Sequence, residues 1–411
     1  MKRAVWAVSW VAVLAGCGTE EAAPGGGTVA VARLEGAPTE AAVESSTLAL
    51  DGEAAALSVL SGSLAVAAGD GVQRVAADGA TLVEVSVLAG SGEPASTGAV
   101  TWMARRGEGL LVLGAEGLFH TQDGALLPSP LGASFGESTL TQVDVLGDTG
   151  AEEAWLVVDG EAHWVAAGQA VPFGVPEAGG APDALVGVAP GVALYAGGGS
   201  VWQVDVAAGT YQLVASDLGT ATSFDRAEDG AVLLATEGGL LARSADGDFS
   251  LRTFAPAGAP ALSVHSVASA YGATVAVVED ALVAIDETGA RRLGDAADSG
   301  PRSVAVDASG DTWIAQGPAL RRFATGVPVS FAEDVAPFFA AHCDKCHAAG
   351  TEETVPDVDF ADYELVVSMA EDIVERLQRS GPGVMPPASS EVLGTDDYAL
   401  VLRWADGGRA P

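Results

Sequence analysis

Gly109-Leu110-Leu111-Val112 is a short apolar run; Glu116-Gly117 breaks it, and Leu118-Phe119-His120 resumes it. Strand, tight turn and strand make one hairpin. Six other segments resemble it. Their central portions are Ser63-Leu64-Ala65-Val66, Glu153-Ala154-Trp155-Leu156, Val192-Ala193-Leu194-Tyr195, Ala231-Val232-Leu233-Leu234, Ala273-Thr274-Val275-Ala276 and Asp311-Thr312-Trp313-Ile314. Each runs into a turn: Asp70-Gly71, Asp159-Gly160, Gly198-Gly199, Gly238-Gly239, Glu279-Asp280 and Gly317-Pro318. From about residue 50 to 326 helical periodicity is scarce and β-branched residues are common, so this part is all-β. The period is about 40 residues, the length of a unit of four short strands.

Seven such units predict an all-β propeller of about seven blades over residues 29–326. The last unit, Ser303 to Ile314, resembles an NHL or gluconolactonase-type blade. It has room for only about three strands before residue 326. Thr28 to Leu34 is expected to supply the fourth and close the ring, which removes open sheet edges. His120, His163 and His265 are scattered over three units and read as strand or surface residues. Asp78-Gly79, Asp123-Gly124, Asp229-Gly230 and Asp246-Gly247 lack the spacing of a calcium loop and read as turns. The propeller is expected to be a scaffold or binding surface.

After Thr325-Gly326-Val327-Pro328 the period changes, and residues 329–411 read as helical. Phe331, Val335, Phe338 and Phe339 share one face of a first helix. Ser330 and Glu333 have capping-box spacing, and Pro337 predicts a start or kink. Tyr363, Val366, Val367, Ala370, Ile373, Val374 and Leu377 predict a second helix of four turns, capped by Asp362. Thr395 to about Asp406 predicts a third, with Tyr398, Val401, Leu402 and Ala405 on its buried face.

Within this part lies Cys343-Asp344-Lys345-Cys346-His347, a C-x-x-C-H sequence. Two thiols three positions apart can bond both vinyl groups of one porphyrin, and the next histidine then lies under the iron. The predicted cofactor is one covalent haem c. A redox dithiol and a zinc site are the alternatives, but no further Cys or His follows to complete a zinc set. Met385, in Gly383-Val384-Met385-Pro386-Pro387, is the expected distal ligand. A thioether is a soft iron ligand, and two prolines stiffen its loop. His342 is a weaker competitor, beside a haem-bonded cysteine.

Residues 329–411 resemble a small class I cytochrome c domain. The matching pieces are Val335-Ala336-Pro337-Phe338-Phe339, Cys343 to His347, Gly383 to Pro387 and Trp404-Ala405-Asp406-Gly407-Gly408. The resemblance implies thioether attachment at Cys343 and Cys346, proximal ligation by His347 and distal ligation by Met385. It also implies that Tyr398 or Trp404 packs between the terminal helices.

The N-terminus suggests a compartment. Lys2 and Arg3 precede an apolar run from Ala4 to Ala15, too short to cross a bilayer. Leu14-Ala15-Gly16-Cys17 resembles a bacterial lipobox, so residues 1–17 are expected to be a lipoprotein signal and Cys17 the lipidated residue. An ordinary signal peptide is the alternative. Residues 18–28 read as a flexible tether. With 55 acidic residues against 19 basic and a net charge of −36, the chain is unsuited to nucleic acid or an anionic lipid surface. The expectation is an electron carrier of the cell envelope, lipid-anchored on the periplasmic or outer-membrane face. Its partner would be a redox protein, possibly basic. Alternatives are an oxidoreductase with its active site in the propeller, or a propeller binding protein with a haem sensor.

Overall fold

The computed structural model describes residues 30–34, 44–50, 53–60, 63–76, 81–89, 91–106, 109–122, 124–133, 140–146, 153–166, 169–173, 181–227, 230–254, 262–286, 289–296, 302–323, 329–347, 358–378, 385, 395–406 and 409. The lipobox Cys17 lies outside them.

Seven sheets, each with four antiparallel strands, form a seven-bladed propeller. Their innermost strands are Ala54–Leu60, Val100–Arg106, Leu140–Leu146, Ala184–Ala189, Ala221–Arg226, Val264–Ala270 and Arg302–Val306, here numbered blades 1 to 7. Each inner strand touches the next, and the seventh touches the first. The segments singled out from the sequence fall on the second strands, such as Gly109–Gly114 and Glu153–Val158. These are the most buried strands, because blades cover both their faces; Val232–Thr236 is buried at every residue.

The ring does not close where the sequence suggested. Blade 7 takes its fourth strand from Glu44–Ala49, antiparallel to Ala319–Phe323, with Leu48 opposite Leu320. Chain continuity explains this. Leu50 N–H bonds Pro318 O at 2.9 Å and Ala54 N–H bonds Gly317 O at 2.9 Å, so the closing strand leads straight into blade 1. Ala30–Leu34 instead lies parallel to Phe249–Phe254 as a fifth strand on blade 5.

A second set of bonds ties blade to blade at the axis. Gln142 Oε1 accepts from Leu185 N–H at 3.1 Å and Asp144 Oδ2 from Gly187 N–H at 2.7 Å. Ser223 Oγ accepts from Val267 N–H, Ser266 Oγ from Val304 N–H, and Ser303 Oγ from Leu57 N–H at 2.9 Å. Arg226 donates to Asp144 and to Gly187 O, joining blades 3, 4 and 5.

The helical part begins with a π-helical turn, Phe331–Val335, which runs into the α-helix Ala336–His342. Ser330 Oγ accepts from Glu333 N–H at 3.1 Å, as the capping spacing predicts. Asp334, however, not Glu333, returns the bond to Ser330 N–H at 2.9 Å. The π turn holds one more residue, which moves the reciprocal position along by one. The predicted four-turn helix divides into Tyr363–Ser368 and Ala370–Gln378, because Met369 leaves helical geometry at φ −108 and ψ 3. Asp362 caps the first piece through Glu364 and Leu365 N–H. The last helix spans Thr395–Asp406. Trp404 on it packs against Phe331, ring centroids 5.6 Å apart, so the first and last helical elements meet. One apolar cluster runs from these helices into blades 6 and 7 and includes Tyr271, Val306 and Ala308.

In blade 7, Trp313 Nε1–H donates to Asp307 Oδ2 at 2.7 Å, while Ser309 and Asp311 N–H donate to Oδ1. Burial pushes the Asp307 carboxyl up, and these bonds oppose the shift. Trp313→Phe removes a donor from a buried carboxylate and should cost about 1–3 kcal/mol. Urea unfolding should show the deficit at neutral pH. It should shrink as pH falls and Asp307 becomes protonated, because the lost bond favours the ionised form.

Candidate functional site

Helix Ala336–His342 ends at Cys343, whose N–H bonds Phe339 O at 2.8 Å. The next helical turn is Asp344–His347. The Cys343 carbonyl accepts from both Cys346 N–H and His347 N–H, each at 3.1 Å. Both thiols and the imidazole therefore sit on a single turn. Cys343 and Cys346 are half-buried and are not joined in a disulfide. Burial, then the neighbouring Asp344 and Cys346, push the Cys343 thiol up to about 12.

The surroundings are aromatic and apolar. Phe339 stacks on Phe360 with centroids 4.7 Å apart, and Phe360 meets the His347 ring edge-on at 5.6 Å. His347 O accepts from Val358 N–H at 3.0 Å, which brings the segment carrying Phe360 beside the cysteines. His342 packs instead on Phe338, at 4.9 Å. Met385 is half-buried, and its N–H bonds Arg376 O at 3.0 Å, tying it to the end of helix Ala370–Gln378. Two thiols and an imidazole on one turn, beside an apolar aromatic pair, are residue types that could hold a covalent haem. Among the described residues no group of three or more His, Cys, Asp or Glu could hold a bare metal ion. A porphyrin supplies four ligands itself, so the haem reading asks for no such group.

The propeller's histidines are not brought together. His120 and His163 lie on the third strands of blades 2 and 3, and His265 on the first strand of blade 6. A pattern the sequence reading missed concerns the hairpins joining second to third strands. These all lie at one end of the propeller, and in five blades they carry exposed acids: Asp70, Glu116, Asp159, Glu237, Glu279 and Asp280. The signal was present in the turn residues, but turn chemistry alone accounted for it. The third strand of blade 7 ends at the opposite end, so the helical part leaves the propeller there.

Among the described residues no helix is long and apolar enough to cross a membrane. No family model matches the chain, and no curated protein matches it. Among solved structures it is similar to a streptogramin B lyase, with a TM-score of 0.51 and 10% identity over 69% of this chain and 99% of that one. It is also similar to virginiamycin B lyase from Staphylococcus aureus, with a TM-score of 0.48 and 10% identity over 67% of this chain and 97% of that one. At such identity the likeness extends to the propeller fold alone. The class defined here is thus a seven-bladed β-propeller with a C-terminal helical segment carrying C-x-x-C-H.

In chain made without haem attachment, Cys343 should resist alkylation by iodoacetamide at pH 8 and yield only as the pH approaches about 12. Timed mass spectrometry of the labelled peptides measures this.

Proposed function

We propose that this protein is an extracytoplasmic electron carrier with one covalent haem c in its helical part and the propeller as docking scaffold. The observation that carries the reading is the single helical turn holding Cys343, Cys346 and His347 beside the Phe339–Phe360 stack. A bound haem c would supply a one-electron ferric–ferrous couple. Cys343 and Cys346, on their shared turn, would anchor the porphyrin edge. His347 would be the proximal ligand, its ring held by Phe360. Met385 would be the second protein ligand. An iron held by both His347 and Met385 would leave no site for substrate, which favours electron transfer over catalysis.

Cys17 as a lipidated residue would hold this carrier at the cell envelope, on the periplasmic or outer-membrane face. The net charge of −36 and the acidic hairpins favour a basic redox partner over nucleic acid.

Absorption spectra of the oxidised and reduced protein test the reading. Wild type should retain haem after acid–acetone extraction and show the methionine-to-iron charge-transfer band. Met385→Ala should lose that band while keeping the haem. A chain that binds no haem when expressed with the attachment machinery overturns the proposal. The anchor is tested separately: Cys17→Ser should move the protein from the membrane to the soluble fraction of an envelope preparation.

A further inference from the structure

A propeller leaves one outer strand per blade at its rim, and each exposed edge is a site for unwanted pairing. Most of the outer strands here are protected. Blade 1 uses only three residues, Leu82–Glu84. Blades 2 and 3 end theirs with Pro128 and Pro172. Blade 5 is covered by Ala30–Leu34. Blade 6 carries Arg291, Arg292 and Asp295, and blade 7 begins with Glu44. Blade 4 differs. Its outer strand, Thr210–Ala215, reads T-Y-Q-L-V-A, with no charge and no proline. Tyr211 is 44% exposed and Leu213 47%.

The face these two residues occupy continues inward as an apolar wall. Cross-strand partners share a face, and Tyr195, Trp202 and Leu213 are successive partners in blade 4. In blade 3 the corresponding row is Trp155, Trp164 and Val171. Trp155 and Tyr195 are fully buried in one cluster between the two blades, with Trp164, Phe173 and Trp202 packed against it. Outward from that cluster both rows become exposed, ending at Val171, 43% exposed, and Leu213. The two blades thus diverge between apolar walls, and along one of them runs an edge that no further strand pairs with among the described residues. Three of the large exposed apolar side chains, Val171, Tyr211 and Leu213, lie on these two walls.

We infer that the rim between blades 3 and 4 is a docking site for an extended segment of a basic partner protein, which adds to Thr210–Ala215 as a fifth strand. Backbone hydrogen bonds would supply affinity, and alternate apolar side chains would enter between the walls beside Leu213 and Trp202. The fold already accepts such an addition, since blade 5 carries a fifth strand. Charge selects the partner. Exposed Asp217 follows the strand, and a second copy would bring another net charge of −36 to the same place. A segment flanked by Lys or Arg meets the opposite sign. This surface contains no residue of the haem site.

The test uses the full chain and calorimetric titration with a synthetic peptide that alternates valine and threonine between lysine pairs. A peptide of equal charge with prolines at alternate positions serves as control, because it lacks the donors that pair with a strand edge. The lysine-flanked peptide should bind and the proline peptide should not. Leu213→Lys, at an exposed position that leaves the melting temperature unchanged, should weaken binding at least about tenfold. Leu213→Thr should retain most of it. Equal binding of the two peptides, unchanged affinity in Leu213→Lys, or no binding to wild type each overturns the assignment. So does a dimer in sedimentation that Leu213→Lys dissociates, which would make a second copy the occupant.

Discussion

A propeller's inner strands face an axis where no further strand can pair with them, so their backbone donors must find partners elsewhere. Side chains of the preceding blade supply those partners here. Gln142 and Asp144 bond blade 4, Ser223 bonds blade 6, Ser266 bonds blade 7 and Ser303 bonds blade 1. The blades are set in register by polar groups, while Val, Leu and Ala fill the space between them. A buried polar group costs stability unless satisfied, and each of these groups is satisfied only when its neighbouring blade is in place. Misplacing one blade therefore leaves donors exposed on two. Ser303 and the closing strand Glu44–Ala49 make the same demand at the join, so the first and last parts of the propeller are fixed together.

That closure sets the position of the helical part. With blade 7 built from two distant stretches of chain, Phe323 ends a strand held on both sides. The helical part begins a few residues later. Its core is continuous with the apolar packing of blades 6 and 7, through a cluster that includes Tyr271 in the turn Tyr271-Gly272, where φ is +54 and +73. Left-handed geometry at both positions makes the tight reversal a two-residue hairpin needs. The C-x-x-C-H turn thus belongs to a unit packed against the propeller, at the end away from the acidic hairpins.

The parts of this fold legible in the sequence are those where local pattern and burial agree. The second strands, apolar throughout because both faces are covered, announced seven units. Ser330 and Asp362 marked helix starts because a cap is a local interaction. The closing strand was missed because Glu-Ser-Ser-Thr-Leu-Ala looks less like a strand than the Val-Ala-Val-Ala run before it; chain connectivity, not propensity, decides between them. Gln142 and Asp144 gave no signal as bridging residues, since their partners lie 43 positions away. The break at Met369 was hidden by a hydrophobic period that continues across it, since Val366, Ala370, Val374 and Leu377 are all buried on one side. At the candidate site, Cys343, Cys346 and His347 were readable because their chemistry needs only adjacent residues. Phe360 was not, because it meets His347 from thirteen positions further along the chain.

These distinctions also separate what each surface of the molecule can do. The acidic hairpins project from one end, are spread over five blades and carry exposed acidic residues. Long-range attraction of an oppositely charged body is what such an arrangement offers; it raises encounter rate more than it fixes orientation. The blade 3–4 rim has the complementary properties. Its walls grade from fully buried Trp155 and Tyr195 to exposed Val171 and Leu213, and its strand edge is directional. A partner drawn by charge would need such a directional contact to be held in one pose. Because the rim lies at the side of the propeller and the helical part at one end, a segment seated there leaves the Cys343–His347 turn uncovered.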